Sequence, residues 1–311
     1  MRKAIIFGGS GWLGHNVALQ FAAAGYDVTI CCRGQKKTFT DNVAEFKTIF
    51  CDKREENSVR EIFANNSYDV VVDTVPNPVT LGYIRKYAKG IKHYLHCSST
   101  GGYAPLPFIP CDETAPYGGF EKTSGWAAKA IVDAEAIQAF MTEGFPATVI
   151  RPCYITGPGM IPLDNLGGRR EDYIADILAE KVLDVPNDGQ ALLQPIHIKD
   201  LATSFLLAAR RPHISIGQIY NICLSHAVPL WKYHEITAAA LGKKVHLNYM
   251  SVEDMVKKYG DSINETWLRF VATHMSFTID KAIRDLGYAP HCTPEEAIEE
   301  TALWAAGLLK K

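Results

Sequence analysis

The segment Gly8-Gly9-Ser10-Gly11-Trp12-Leu13-Gly14 lies between a short apolar run, residues 4–7, and residues 13–24, which read as a helix stopped by Gly25. Gly8, Gly11 and Gly14 recur at every third position. Between a strand and a helix, glycines permit the tight turn, let backbone amides approach an anion, and let the helix pack closely on the strand. The helix N-terminus then faces the anion with free N–H groups and partial positive charge. The motif predicts a dinucleotide pyrophosphate at this turn, because the strand before it and the helix after it are the context it requires.

The alternation continues along the chain. Residues 28–32, 46–50, 69–74 and 93–98 read as strands, with helices over 58–65 and 82–89. Continuous β-branched runs separated by helices are the pattern of a parallel sheet covered on both faces, so the fold class is α/β with a doubly wound sheet. Proline and glycine between Pro105 and Gly119 mark a long surface loop. A helix is expected over 124–141 with Thr123 or Ser124 as cap, then a buried strand over 147–150. Residues 195–198 and 218–222 look like strands returning to the sheet. The chain therefore divides into a dinucleotide-binding domain, residues 1–157 with about 194–222, and a smaller C-terminal substrate domain, about 158–193 with 223–311. A length of 311 residues suits two such units at roughly 150 residues each.

Composition narrows the function classes. The net charge of −2 argues against reliance on a broad basic face for nucleic acid, leaving room only for a local patch. No apolar run approaches the ~20 residues a membrane span needs, and the N-terminus lacks the apolar stretch of a secretory signal. The eight cysteines include no Cys-x-x-Cys pair. Reduced thiols in a cytoplasmic protein are the expectation. His93 and His96 flank the start of a strand and read as core or strand-edge histidines, so no metal site is expected.

The second strand ends at Arg33, nineteen positions after Gly14. An acidic residue near this point would accept both ribose hydroxyls of NAD. Arg33 instead suits a 2′-phosphate, with Lys36 and Lys37 adding charge, which predicts NADP(H) over NAD(H). Asp52, after the third strand, is a candidate acceptor for an adenine amino group, or a turn-forming residue.

Several segments together resemble an extended short-chain dehydrogenase/reductase of the NAD-dependent epimerase/dehydratase group. They are the glycine loop, Asp69-Val-Val-Val-Asp73, Ser98-Ser99-Thr-Gly-Gly-Tyr103, Arg151-Pro-Cys-Tyr-Ile-Thr-Gly157-Pro158, Pro195-Ile-His197-Ile-Lys-Asp200, Gly217-Gln-Ile-Tyr-Asn221 and Asp280-Lys-Ala-Ile-Arg-Asp-Leu-Gly287. Cys32-Arg33-Gly34 and Asp73-Thr74 are similar to the branch containing chloroplast stem-loop-binding proteins and their bacterial relatives. The resemblance implies a Rossmann domain. It also implies coenzyme contacts along Gly8, Ser10, Gly11, Trp12, Leu13 and Gly14, at Thr74 and Val75, at Lys129, and at Pro152 and Ile155.

The group's chemistry uses a Ser, a Tyr and a Lys, with Tyr-x-x-x-Lys on one helix face, where the ammonium lowers the phenol's pKa. Ser99 matches the serine and Lys129 the lysine, but four residues before Lys129 stands Gly125. Three readings follow. Another phenol carries the proton, with Tyr103, Tyr117 and Tyr154 on loops near the site. Alternatively Lys129 or a water on Ser99 carries it, or the chain binds nucleotide without redox chemistry. Catalytic candidates are Ser99, Lys129, Tyr154 and Tyr103. On the substrate side, Ser99, Asn165, Arg169 and Arg170 are candidates, because arginine forks match diphosphate oxygens.

The expected substrate is a small polar alcohol or carbonyl, a sugar nucleotide by resemblance. The rival reading is a silent nucleotide-binding or RNA-associated protein. The stripe Trp126, Ala130, Ala134, Ile137 and Met141 usually faces a core; in this family such helices also pair in a homodimer.

Overall fold

In the computed structural model, which describes residues 1–34, 46–118 and 125–309, the first apolar run becomes β1 (Lys3–Phe7), buried from Ala4 onward. α1 (Trp12–Ala23) follows and stops at Gly25, whose φ of +83° is a left-handed conformation that glycine adopts without a side-chain clash. Next come β2 (Asp27–Cys32), β3 (Lys47–Phe50), α2 (Glu56–Asn65), β4 (Val70–Asp73), α3 (Pro78–Tyr87) and β5 (His93–Cys97). α4 (Gly125–Glu143) and β6 (Ala147–Pro152) complete the first half. The expected cap of α4, Thr123 or Ser124, lies outside the described residues, as do Lys36 and Lys37.

The second half contains β7 (Tyr154–Thr156), α5 (Asp172–Leu178), β8 (Val182–Pro186), β9 (Leu192–Leu193), β10 (Pro195–His197), α6 (Ile198–Arg210), α7 (Pro212–Ser215) and β11 (Ile219–Ile222). It ends with β12 (Val228–Pro229), α8 (Leu230–Ala240), β13 (His246–Met250), α9 (Val252–Tyr259), α10 (Glu265–Val271), α11 (Asp280–Leu286) and α12 (Pro294–Leu309). No helix among the described residues is long and apolar enough to cross a membrane.

Seven strands form one parallel sheet in the order β11-β6-β5-β4-β1-β2-β3. β1 has β2 on one side and β4 on the other, so the strand order reverses there. The crevice beyond the carboxyl ends of the strands at such a switch point is where open α/β sheets bind ligands. Period-2 alternation divides each strand between two cores. Ala4 and Ile6 pack with Val17 and Phe21 of α1 and with Leu201 and Phe205 of α6. Ile5 and Phe7 face the other way, onto Leu81 and Ile84 of α3 and Val132 and Ala136 of α4.

Two expectations differ from the structure. The strand at residues 195–198 does not return to the large sheet. β10 pairs in parallel with β7, because β11 already occupies the free edge of β6. The apolar stripe of α4 is also turned: Val132, Ala136 and Ala139 face the core, while Ala134, Ile131 and Met141 are exposed.

A third cluster joins Tyr173 and Ile177 of α5, Val185 of β8, Tyr233 of α8, Met255 of α9, Leu268 of α10 and Ile298 of α12. The two-domain division remains our proposal. Within it, Met275, Phe277, Leu286 and Tyr288 pack on the sheet's own core.

Candidate active site

The glycine turn is held by the second strand: Gly8 N and Gly9 N donate to Cys31 O at 2.9 and 3.3 Å, and Gly11 N donates to Gly8 O at 2.9 Å. A Cβ on Gly14 would lie 2.2 Å from Gly8 O, and one on Gly8 (φ +79°) 2.5 Å from Thr74 Oγ1. The strand-to-helix contact therefore excludes side chains at both positions. Gly11 caps α1 without a side-chain hydrogen bond, and the first turn holds no acidic residue. The amides of that turn have no intrahelical acceptor and point at a site suited to an anion. Ser10 and Leu13 are half-buried, and Trp12 is buried with Nε1 donating to Pro158 O at 2.7 Å. That bond ties the turn to the segment after β7.

At the adenosine end, Arg33 is exposed just past β2. Asp52 is paired with Arg54 (Nη2–Oδ2 2.6 Å), whose hydrogen bonds, with Arg33 adding its charge, hold the carboxyl well below the usual range. Asp73 is buried, with Lys53 Nζ 2.5 Å from Oδ1 and Val75 N donating to the same oxygen at 3.0 Å. Thr74 Oγ1 donates to Phe7 O at 3.0 Å, and Val75 is 62% exposed at the mouth.

At the other end, Ser99 Oγ accepts from Gly101 N at 3.1 Å and Lys129 Nζ donates to Ser98 O at 3.0 Å. Gly125 opens α4, and a Cβ there would meet nothing within 4 Å. Beneath lies a buried polar network centred on Asp133, which accepts from Ser98 Oγ at 2.8 Å and Arg151 Nε at 2.9 Å and is hydrogen-bonded to His96 Nε2 at 2.7 Å. Burial alone would raise the Asp133 pKa, but the His96 hydrogen bond and the charges of His96 and Arg151 outweigh it, and the net direction is downward.

The phenols separate clearly. Tyr103 is buried, with its hydroxyl 2.5 Å from Arg151 Nη1, and desolvation raises its pKa to about 12. Tyr117 lies under the Arg151 guanidinium, 3.3 Å from its ring centroid, and donates to Ser99 O at 2.6 Å. Tyr154 lines a cavity of about 330 Å³ together with Ser99, Ile155, Arg169, Trp126 and Phe270. That volume is at the small end for ligand pockets. The Tyr154 hydroxyl accepts from Leu163 N, and burial raises its pKa. Pro152 O accepts from Thr100 Oγ1 at 3.2 Å.

On the substrate side, Arg169 reaches the cavity wall while donating to Ile155 O at 2.8 Å and covering the Tyr154 ring at 4.5 Å. Arg170 and Asn165 are outside the residues lining that cavity. Arg170 pairs with Asp164 and donates to Asn165 Oδ1, and Asn165 is buried with Nδ2 donating to Asp184 O at 2.8 Å. His93 Nε2 is 2.7 Å from Thr148 Oγ1.

Sequence reasoning passed over Asp133, although it stands four residues after Lys129 on the same helix face, a polar residue in an otherwise apolar surround. It also passed over Trp267, Phe270 and Met275, which reach the cavity from a segment with no motif. The expectation of reduced thiols fails at one pair. Cys153 and Cys223 form a disulfide, because the β6–β11 register places Pro152 opposite Ile222 and the next residues side by side.

With this geometry in view, the chain matches the NAD dependent epimerase/dehydratase family over residues 4–78 and 79–223. It is 25% identical to the chloroplast stem-loop binding protein of 41 kDa b from Arabidopsis thaliana, over 96% of this chain and 78% of that protein. It is 22% identical to UDP-glucose 4-epimerase from Bos taurus, over 78% of this chain and 83% of that one. Among solved structures, dTDP-glucose 4,6-dehydratase from Bacillus anthracis in complex with NAD superposes with a TM-score of 0.77 at 17% identity, covering 99% of this chain and 97% of that one.

Proposed function

We propose, from the premise that this chain belongs to the NAD dependent epimerase/dehydratase family, that it is an NADP(H)-dependent oxidoreductase or epimerase-like enzyme acting on a polar alcohol or carbonyl of a nucleotide sugar. The observation that carries this reading is the cavity that gathers Ser99, Tyr154 and Arg169 at the carboxyl edge of the sheet, on the side to which Trp12 ties the glycine turn. The residues fit a dinucleotide, since the first-turn amides of α1 have no side-chain cap and no acidic residue stands in that turn to repel a pyrophosphate. Gly8 to Gly14 would hold the pyrophosphate. Asp52, Thr74 and Val75 would flank the adenosine, Lys129 would take the nicotinamide ribose, and Pro152 and Ile155 would border the ring. When bound, the nicotinamide supplies hydride exchange at the substrate carbon.

The chain's own groups do the rest. Ser99 Oγ holds the reacting oxygen. Tyr154, protonated at neutral pH as an ordinary phenol is, delivers its proton as a general acid from the same cavity wall. Arg169 faces the diphosphate of the substrate. Gly125 leaves open the place where the resemblance puts a tyrosine, and Tyr103, turned to Arg151, stays behind the network.

NADP(H) rather than NAD rests on Arg33, exposed where an acidic residue would be needed for an unphosphorylated ribose. The solved relative above holds NAD, so the test is direct. Titration calorimetry of wild type is expected to favour NADPH over NADH. Arg33→Asp is expected to weaken NADPH by roughly 10- to 100-fold, the worth of a charge-assisted contact, and to spare NADH. Equal weakening of both coenzymes, or none, overturns the assignment.

A cytoplasmic homodimer paired through the exposed face of α4, with Ile131 and Met141 at the contact, completes the reading. A second reading, a silent nucleotide-binding or RNA-associated protein, takes support from the name of the Arabidopsis relative. Hydride turnover on any sugar nucleotide excludes it. RNA affinity that vanishes at moderate salt with no sequence preference would be charge attraction alone.

A further inference from the structure

The large sheet carries a cysteine pair across each of its two outermost strand pairs. At one edge, Cys153 after β6 and Cys223 after β11 are bonded. At the other, Cys31 of β2 and Cys51, the residue after β3, are not bonded, yet their Sγ atoms stand 2.7 Å apart. Carbon atoms in contact rest at ~3.5–4.0 Å and a covalent S–S bond measures about 2.05 Å, so the two sulfurs are closer than ordinary contact without being bonded. The register pairs Cys31 with Ile49, so Cys51, two residues further on, is its diagonal neighbour on the same face of the sheet, and Cys51 N donates to Cys32 O at 2.9 Å.

We propose that Cys31 and Cys51 are a redox-active thiol pair, closed to a disulfide by a hydroperoxide, and that their state tunes coenzyme binding at the glycine turn. The two thiols have different environments. Cys31 is buried at 2% exposure, while Cys51 is half-buried and open to a small oxidant. The contact with Cys31 and the nearby Lys53 ammonium lower the Cys51 pKa, and the same contact together with burial raises that of Cys31. Cys51, the more exposed of the two, is therefore the attacking sulfur and Cys31 the resolving thiol.

The Cys51 sulfur attacks one peroxide oxygen, the O–O bond breaks, and the departing hydroxide takes a proton to leave as water. The sulfur is left as a sulfenic acid. Cys31, losing its proton, attacks the Cys51 sulfur and displaces hydroxide, which leaves as a second water. Two thiols lose two electrons in total, and hydrogen peroxide becomes two waters.

Both cysteines are attached to the site. The Cys31 carbonyl accepts from Gly8 N and Gly9 N, the first two amides of the turn. Cys51 precedes Asp52 and Lys53, and Lys53 Nζ holds Asp73 and the Val75 carbonyl at the adenosine end. Bond formation draws these two segments together and displaces both sets of contacts. This coupling rests on the coenzyme reading above; the bond itself does not.

The test oxidises full-length protein with hydrogen peroxide, blocks free thiols under denaturing conditions, and maps the peptides by mass spectrometry. The expected product is a Cys31–Cys51 cross-link that a thiol reductant reverses and Cys51→Ser abolishes, while Cys31→Ser leaves a dimedone-reactive Cys51. Recovery of both cysteines as free, blocked thiols after peroxide treatment overturns the pair. Separately, NADPH affinity measured by calorimetry is expected to fall about tenfold on oxidation, within the usual range of coupling between sites, and to be insensitive to peroxide in Cys51→Ser. An unchanged affinity across a confirmed cross-link overturns the tuning. Reduced protein that binds neither NADPH nor NADH removes the coenzyme reading and the tuning with it, and leaves the cross-link result standing.

Discussion

The two ends of the site are built in different ways. The glycine turn is one contiguous segment whose distinctive features lie in its backbone: first-turn amides of α1 without an intrahelical acceptor, and close approaches that a Cβ at Gly8 or Gly14 would prevent. The cavity end is assembled from side chains at positions 99, 126, 154, 169 and 270, and a buried network of Asp133, His96, Ser98 and Arg151 adjoins it through residue 98, the neighbour of Ser99. A backbone device tolerates change outside its few glycines. A side-chain assembly depends on groups that never touch a ligand. The contrast predicts that the most damaging single changes lie beneath the cavity, out of reach of substrate.

Asp133→Ala is the sharpest way to break that comparison. It leaves the Arg151 guanidinium, buried at 3% exposure, without its carboxylate partner. Removing one member of a buried ion pair typically destabilises by ~3–5 kcal/mol, which chemical denaturation would measure. The pH profile carries the sign. The Asp133 pKa is lowered in the folded state, so its contribution is present above the unfolded value of about 3.9 and is lost as pH falls through the folded value. Wild-type stability should therefore fall on acidification in that range, and the variant should lack this component. A variant as stable as wild type would show that the network does not support the cavity.

What was legible in the sequence follows the same division. The parallel sheet, its first five strands and the strand-turn-helix around Gly8 to Gly14 could be read because period and spacing are local properties. Residues 195–198 read correctly as a strand but not in their pairing, since no local signal shows that β11 would occupy the edge of β6. Tyr103 and Tyr154 looked equivalent as loop phenols. Only the fold shows Tyr103 turned to Arg151 and Tyr154 on the cavity wall. Arg170 and Asn165 read as ligand contacts because an arginine fork suits a diphosphate, whereas in the structure Arg170 pairs with Asp164, six residues before it, and Asn165 donates to the Asp184 carbonyl. Asp133 was visible only as one acidic residue on an alanine-rich helix.

Tyr154→Phe tests the cavity end at the level of chemistry. Loss of a general acid is worth ~10²–10⁴ in rate, so turnover on a sugar nucleotide should drop by at least about a hundredfold. Calorimetric coenzyme affinity should stay at the wild-type value, because the hydroxyl is not among the proposed coenzyme contacts. The substitution also leaves Leu163 N without its acceptor, so a modest stability loss of about 1–3 kcal/mol should accompany it. A drop in coenzyme affinity equal to the drop in turnover would move Tyr154 from proton transfer to binding.

The smallest expected effect concerns the aromatic wall that joins the two halves of the chain. Trp126, at the start of α4, stacks on Phe270 of α10 with centroids 4.2 Å apart and planes 16° apart. It also lies against Gly101, where a Cβ would be 2.4 Å from the indole Cδ1. Stacked pairs contribute ~0.5–1.5 kcal/mol beyond the area they bury, and a double-mutant cycle isolates that term from the loss of each ring. Trp126→Ala, Phe270→Ala and the double variant, compared by urea denaturation, should give a coupling energy in that range. Because both rings line the cavity, the same cycle run on substrate KM should show coupling of the same sign, whereas coenzyme affinity should show none. Coupling in coenzyme affinity as well would mean that the backbone device and the side-chain assembly are one cooperative unit, and the contrast between the two ends of the site would no longer hold.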